Sequence, residues 1–139
     1  YIVAYDGSPE SKKASDLAAD LGNKTGADVR IVTVEDLTVL RREFGASEAT
    51  LRLQEKARQG ASSLVERERA RVTRGGVASS SHVVTEGPPA EGLVKYAEDE
   101  EADLIVMGSR GRTGIQRMLL GSVAMRVVQL AHCPVLVVR

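Results

Sequence analysis

The chain has 139 residues, 42% of them hydrophobic and 27% charged, and its 19 basic and 19 acidic side chains cancel formally. That length suits one domain spanning 1–139, the composition excludes a disordered chain, and the neutral balance argues against nucleic acid or an anionic membrane as partner. No apolar run approaches a membrane span, no signal-peptide pattern opens the chain, and the one cysteine, Cys133, makes neither an internal disulfide nor a zinc site, so a cytoplasmic setting is expected.

Short β-branched runs alternate with helical stripes along the chain. Ile2-Val3-Ala4-Tyr5 reads as a first strand, and because it starts almost at Tyr1, residues are expected ahead of it. Ser8 and Pro9 then supply an N-cap and a first helical position for a helix with Ala14, Leu17, Ala18 and Leu21 on one face, closed by Gly26. Val29 to Val34 is a second strand, followed by a loop over 37–46. From about 47 to 72 a looser stripe of Leu53, Ala57, Ala61, Leu64, Val65 and Val72 gives a second helix, with Glu48 and Arg52 one turn apart as a surface pair. Its Arg67 to Arg74 stretch alternates with Glu66 and Glu68 and is expected to coat an exposed face.

Val77 to Val84 is a third strand, and Ser79-Ser80-Ser81 makes it polar enough for a sheet edge. Pro88 and Pro89 open a third helix carrying Ala90, Leu93, Val94 and Ala97, which ends in a solvated acidic run, Glu98 to Glu101. Leu104 to Met107 is a buried fourth strand. A fourth helix, capped by Ser122, shows Ala124, Val127, Val128 and Ala131 on one face and leads to the last strand, Val135 to Val138. Strand and helix in strict alternation mean an α/β fold with a five-stranded parallel sheet and helices on both faces. Ligands of such sheets bind beyond the carboxyl ends of the strands.

The segment after the fourth strand is the most informative of these ends. Gly108, Gly111 and Gly121-Ser122 follow the spacing Gly-x2-Gly-x9-Gly-Ser, in a stretch, 104–139, with five arginines and no carboxylate. Glycines let backbone N–H groups approach an anion, and the start of the following helix adds unpaired donors and a positive dipole end. Ser109 and Ser122 would add hydroxyls, and Arg110 or Arg112 would screen negative charge. Asp6 has two open roles, contacting a ligand or bonding the backbone of its own turn. There is no P-loop run, no GxGxxG after a strand and no GxSxG elbow. His82 and His132 are isolated and read as surface or hydrogen-bonded residues, Cys133 reads as a small buried hydrophobe, and no carboxylate cluster suggests a metal cage.

Over essentially its whole length the chain resembles the universal stress protein family. The residues that carry the resemblance are Ala4-Tyr5-Asp6-Gly7-Ser8, Val32-Thr33-Val34, the glycine spacing at 108, 111 and 121-122, and Ala131-His132-Cys133-Pro134-Val135-Leu136-Val137-Val138. The resemblance implies strand order 3-2-1-4-5, an adenine nucleotide alpha hydrolase-like arrangement, and a site for ATP, with Mg²⁺ arriving on the nucleotide if at all. By that resemblance Ala4, Val34 and Met107 hold the adenine, and Asp6, next to Tyr5, meets the ribose or the metal-phosphate side. Gly108, Ser109, Arg110, Gly111, Gly121, Ser122 and Val123 line the phosphates and ribose.

Two positions depart from a common ATP-binding pattern, which often has histidine where Arg110 stands and a hydroxyl where Ala124 stands. The resemblance also points to a homodimer through Val135 to Val138, which would cover an apolar edge guarded only by Arg139. The functional expectation is a nucleotide-responsive regulatory module. The alternatives are a homodimeric interaction protein of the same family that binds no nucleotide, or a slow ATPase, since no positioned general base is visible.

Overall fold

A sheet covered on both faces needs strands that are apolar on successive residues, each side chain serving the opposite layer from its neighbour. The computed structural model, which describes residues 1–111 and 120–139, shows this division. The elements run β1 (Ile2–Ala4), α1 (Pro9–Thr25), β2 (Val29–Val34), α2 (Thr38–Phe44), α3 (Glu48–Arg74), β3 (Ser79–Val84), α4 (Pro89–Asp99), β4 (Ile105–Gly108), α5 (Ser122–Leu130) and β5 (Val135–Val138). All strand pairs are parallel and the order is β3-β2-β1-β4-β5. Val3 stands opposite Ile31 on one side and Val106 on the other, and Ile105 opposite Val135.

Ile2, Val32, Ile105 and Met107 pack with Leu93 and Ala97 of α4 and Val127 of α5. Their chain neighbours Val3, Ile31 and Val106 pack on the other face with Ala14 and Ala18 of α1 and Val65 and Val72 of α3. Each fully buried Ile, Leu or Val contributes about 1.5–3 kcal/mol by leaving water. Among the described residues no helix is long and apolar enough to cross a membrane.

The helix ends follow local chemistry. Ser8 caps α1 by accepting the Ser11 N–H, and Gly26 closes it at φ 75°, in the left-handed region. Ser47 caps α3 in the same way through the Thr50 N–H. The serine-rich β3 lies at an edge, and Arg52 reaches back to Glu48 at 2.6 Å, both as the sequence suggests.

The structure corrects four expectations. The 37–46 stretch contains α2, a seven-residue helix that buries none of its residues, so no apolar period announces it. The N-cap of α5 is Gly121, in extended conformation, and Ser122 is already the first helical residue. On α5, Ala124 and Val127 are buried whereas Val128 is half exposed, because the sheet meets a narrower face than the stripe allowed.

The fourth correction concerns the arginine-rich end of α3, which is not simply a solvated coat. Glu68 is buried there with its carboxylate 2.6 Å from Arg71, which also reaches Asp16 of α1 at 2.6 Å. Burial alone would raise the Glu68 carboxyl, but hydrogen bonds from Arg71 and Ser15 outweigh it and hold the group below the usual range. The acidic run behaves as expected in part, for Asp99 pairs with Lys95 while Glu100 bonds Arg30, whose guanidinium also donates to the Tyr96 hydroxyl.

Candidate functional site

The carboxyl ends of β1, β2 and β4 open into a cavity of about 430 Å³, roofed by the first turns of α4 and α5. Ligand sites typically fall between about 300 and 1,000 Å³. The twelve residues singled out from the sequence all line it: Ala4, Tyr5, Asp6, Val34, Met107, Gly108, Ser109, Arg110, Gly111, Gly121, Ser122 and Val123. Arg112, expected beside Arg110, lies outside the described residues.

Strand alternation gives the cavity two different halves. Ala4, Val34 and Met107 share the sheet face that carries α4 and α5, and with Leu93 they make an apolar floor. Tyr5 belongs to the opposite face and packs against the α1 and α3 layer. Burial and the Glu68 carboxylate there both raise its phenol.

The second half is polar and built by the chain after β4. The Ser109 N–H donates to Val138 O at 2.7 Å and its carbonyl accepts the Gly121 N–H at 2.7 Å, so two of the expected backbone donors are already spent on closing the loop. The Ser109 side chain is different. Its Oγ is buried and has no hydrogen-bond partner among the described residues, in a residue that lines the cavity. A buried unpaired hydroxyl costs on the order of 1–3 kcal/mol, which a ligand acceptor would recover. Beside it, no side chain among the described residues caps α5, whose first internal bond runs from the Met125 N–H to Gly121 O and whose first turn contains no acid. Ser122, Val123 and Ala124 therefore present N–H groups at the positive end of a helix.

Both readings of Asp6 have support in the geometry. Its Oδ1 accepts the Ser8 N–H at 2.9 Å, a turn role, and Oδ2 lies where a Cβ on Gly111 would stand 2.6 Å away. Only glycine at 111 leaves this carboxylate its place at the cavity. Arg110, also on the wall, forms an ion pair with Glu10 of α1 at 3.2 Å. Gly108 serves packing instead. A Cβ there would meet Glu10 Cβ at 2.8 Å and Ser11 N at 2.9 Å, so this glycine lets α1 lie on β4.

Sequence reasoning missed Ser11, Val32, Thr33, Pro89 and Leu93 as lining residues, and marked Ala124 only as a departure from the ATP-binding pattern. Val32 and Thr33 adjoin Val34 and Ala124 adjoins Val123, so the strand and helix assignments could have supplied them. Pro89 and Leu93 reach the cavity only through the way α4 crosses the sheet. Of the residues set aside from chemistry, exposed His82 stacks on Tyr96 with ring centroids 4.3 Å apart, and half-buried Cys133 packs against the α4 and α5 core, its thiol raised by burial. No metal-binding cluster occurs among the described residues.

Residues 2–139 match the model of the universal stress protein family. The chain belongs to that family. Universal stress protein MJ0531 of Methanocaldococcus jannaschii is 38% identical over 140 residues, covering 99% of this chain and 80% of that one. The solved structure of hypothetical protein MJ0577, from the same organism, matches with a TM-score of 0.85 at 28% identity, covering 99% of this chain and 92% of that one. A universal stress protein solved in complex with cAMP matches with a TM-score of 0.73 at 26% identity, covering 99% and 94%.

Proposed function

We propose that this universal stress protein binds an adenine nucleotide, ATP in the first instance, at the carboxyl end of its sheet and serves as a nucleotide-responsive regulatory module. The observation that carries the proposal is one cavity whose apolar floor adjoins a buried hydroxyl and a helix start that have, among the described residues, neither hydrogen-bond partner nor side-chain cap. A flat base suits the first half and phosphate oxygens suit the second. The relative bound to cAMP supports adenine nucleotides as the ligand class.

The lining residues then divide the work among them. Ala4, Val34, Met107 and Leu93 enclose the base, and Asp6 accepts from ribose hydroxyls or faces the metal side of the phosphates. Ser109 Oγ and the N–H groups of Ser122 and Val123 donate to phosphate oxygens, Gly111 and Gly121 keep the walls open, and Arg110 supplies a guanidinium whose charge its pair with Glu10 offsets. Mg²⁺ arriving with the nucleotide supplies further charge neutralisation. Turnover is expected to be slow, because Asp6 is the only carboxylate on the described walls and one of its oxygens is engaged by the Ser8 N–H. Titration calorimetry with ATP tests the reading. Saturable one-site binding supports it, whereas absence of heat with ATP, ADP and cAMP alike favours the family alternative, an interaction protein without nucleotide.

The proposal includes a single domain, a cytoplasmic setting and a homodimer. β5 forms one edge of the sheet, all four of its residues are only half buried, and Met125 and Val128 of α5 expose apolar surface. Pairing β5 with its copy would cover that edge. Sedimentation equilibrium at micromolar concentration should return twice the chain mass, and a strict monomer would count against the pairing.

A further inference from the structure

We propose that Glu10 determines which charge of nucleotide the cavity accepts, by neutralising Arg110 and so disfavouring polyphosphates relative to singly charged ligands. The inference rests on the nucleotide reading above and deepens it. Among the described residues that line the cavity, Asp6 and Arg110 are the only charged ones, and Glu10 stands behind Arg110 at 3.2 Å without reaching the cavity itself. The lining charges of Asp6 and Arg110 cancel, and Glu10 behind Arg110 leaves these three described groups with one net negative charge.

The root of the Glu10 side chain has a fixed place beside β4. It sits in the first turn of α1, which lies so close on β4 that a Cβ on Gly108 would stand 2.8 Å from Glu10 Cβ and 2.9 Å from its carbonyl carbon. The side chains of Arg110 and Glu10 are only 29% and 20% exposed, so their charges are less screened than at an open surface.

Arg110, for its part, does not need Glu10 to hold its backbone. The preceding Ser109 is bonded on both sides, to Val138 and to Gly121, which fixes the main chain at the cavity wall. Glu10 is therefore better described as a charge set against the ligand than as a support for Arg110. Its repulsion grows with each charge on the phosphate chain and is small for a cyclic monophosphate.

Titration calorimetry of the full chain in EDTA, with ATP and with cAMP, on wild type and Glu10→Gln, tests this. Glu10→Gln should bind ATP about fivefold more tightly and change cAMP affinity by less than about twofold. Weaker or unchanged ATP binding in a folded Glu10→Gln protein, or an equal gain for both ligands, would overturn the role of Glu10 while leaving the nucleotide site intact. Failure of the wild type to bind either nucleotide would reject the site itself, and this inference with it.

Discussion

Gly121→Val is expected to lower ATP affinity at least tenfold, about 1.4 kcal/mol or more, in a protein that still folds. Gly121 lies between the buried Ser109 hydroxyl and the open first turn of α5, and it lines the cavity with no side chain of its own. Its backbone is extended, with φ −72° and ψ 158°, a conformation valine adopts readily. A Cβ there would lie 3.2 Å from Ser109 O and 3.5 Å from Arg110 Cα, close enough to push the loop by a few tenths of an ångström without dislodging a core element. The γ-methyls then add bulk beside the region assigned to phosphate. Calorimetry reports the affinity and far-ultraviolet circular dichroism reports the fold. Wild-type affinity in the folded variant would remove the proposed phosphate half of the site.

Gly108→Ala should act in the opposite way, chiefly on stability. The added methyl would stand 2.8–2.9 Å from Glu10 Cβ, Glu10 C and Ser11 N, and two of these three atoms are backbone of the first turn of α1. Backbone cannot swing aside as a flexible side chain does, so α1 must lift from β4, where Val106 packs with Ala14 and Ala18. Overpacking of this kind costs about 2 kcal/mol, or roughly 5–10 °C in thermal midpoint for a chain of this size. A thermal melt of the variant without ligand measures it. An unchanged midpoint would mean that Gly108 has no packing role and that its place in the glycine pattern belongs to the ligand alone.

These two glycines illustrate what the sequence could and could not convey. The spacing at 108, 111 and 121 marked a cradle, but the three positions differ in kind: one admits a helix, one admits the Asp6 carboxylate, and one borders the open start of α5. The difference lies in tertiary distances that no local pattern encodes. The sheet was legible because each strand carries its own signal. Val29 to Val34 and Val135 to Val138 are β-branched runs with sharp boundaries, and Ser79-Ser80-Ser81 could not sit in a sheet centre. Strand order followed from family resemblance, since periodicity says nothing about which strands are neighbours.

Helix α2 was illegible for a related reason. Seven residues that bury nothing leave no stripe, and Asp36 and Gly45 flank them as turn residues do. Glu68 was misread because a carboxylate among arginines is ordinarily solvated. Only the packing of α3 on α1 shows that Arg71 and Ser15 hold it, with Asp16 pairing the same arginine. At the site, residues that follow strands were accessible to reasoning from topology, whereas Pro89 and Leu93 depend on how α4 packs against β2 and β3.

Occupation of the cavity by an adenine nucleotide is the central claim, and the protein's own spectrum addresses it directly. The chain has no tryptophan and three tyrosines, so a bound adenine would dominate its near-ultraviolet absorbance. Freshly purified protein should show an adenine-like band near 260 nm, and heating followed by chromatography should release ATP, ADP or another adenine nucleotide in stoichiometric amount. A tyrosine-only spectrum, with no nucleotide released and no binding of added ATP, would mean that the glycines serve turns and packing alone. The function would then lie at the β5 edge and the helix surfaces.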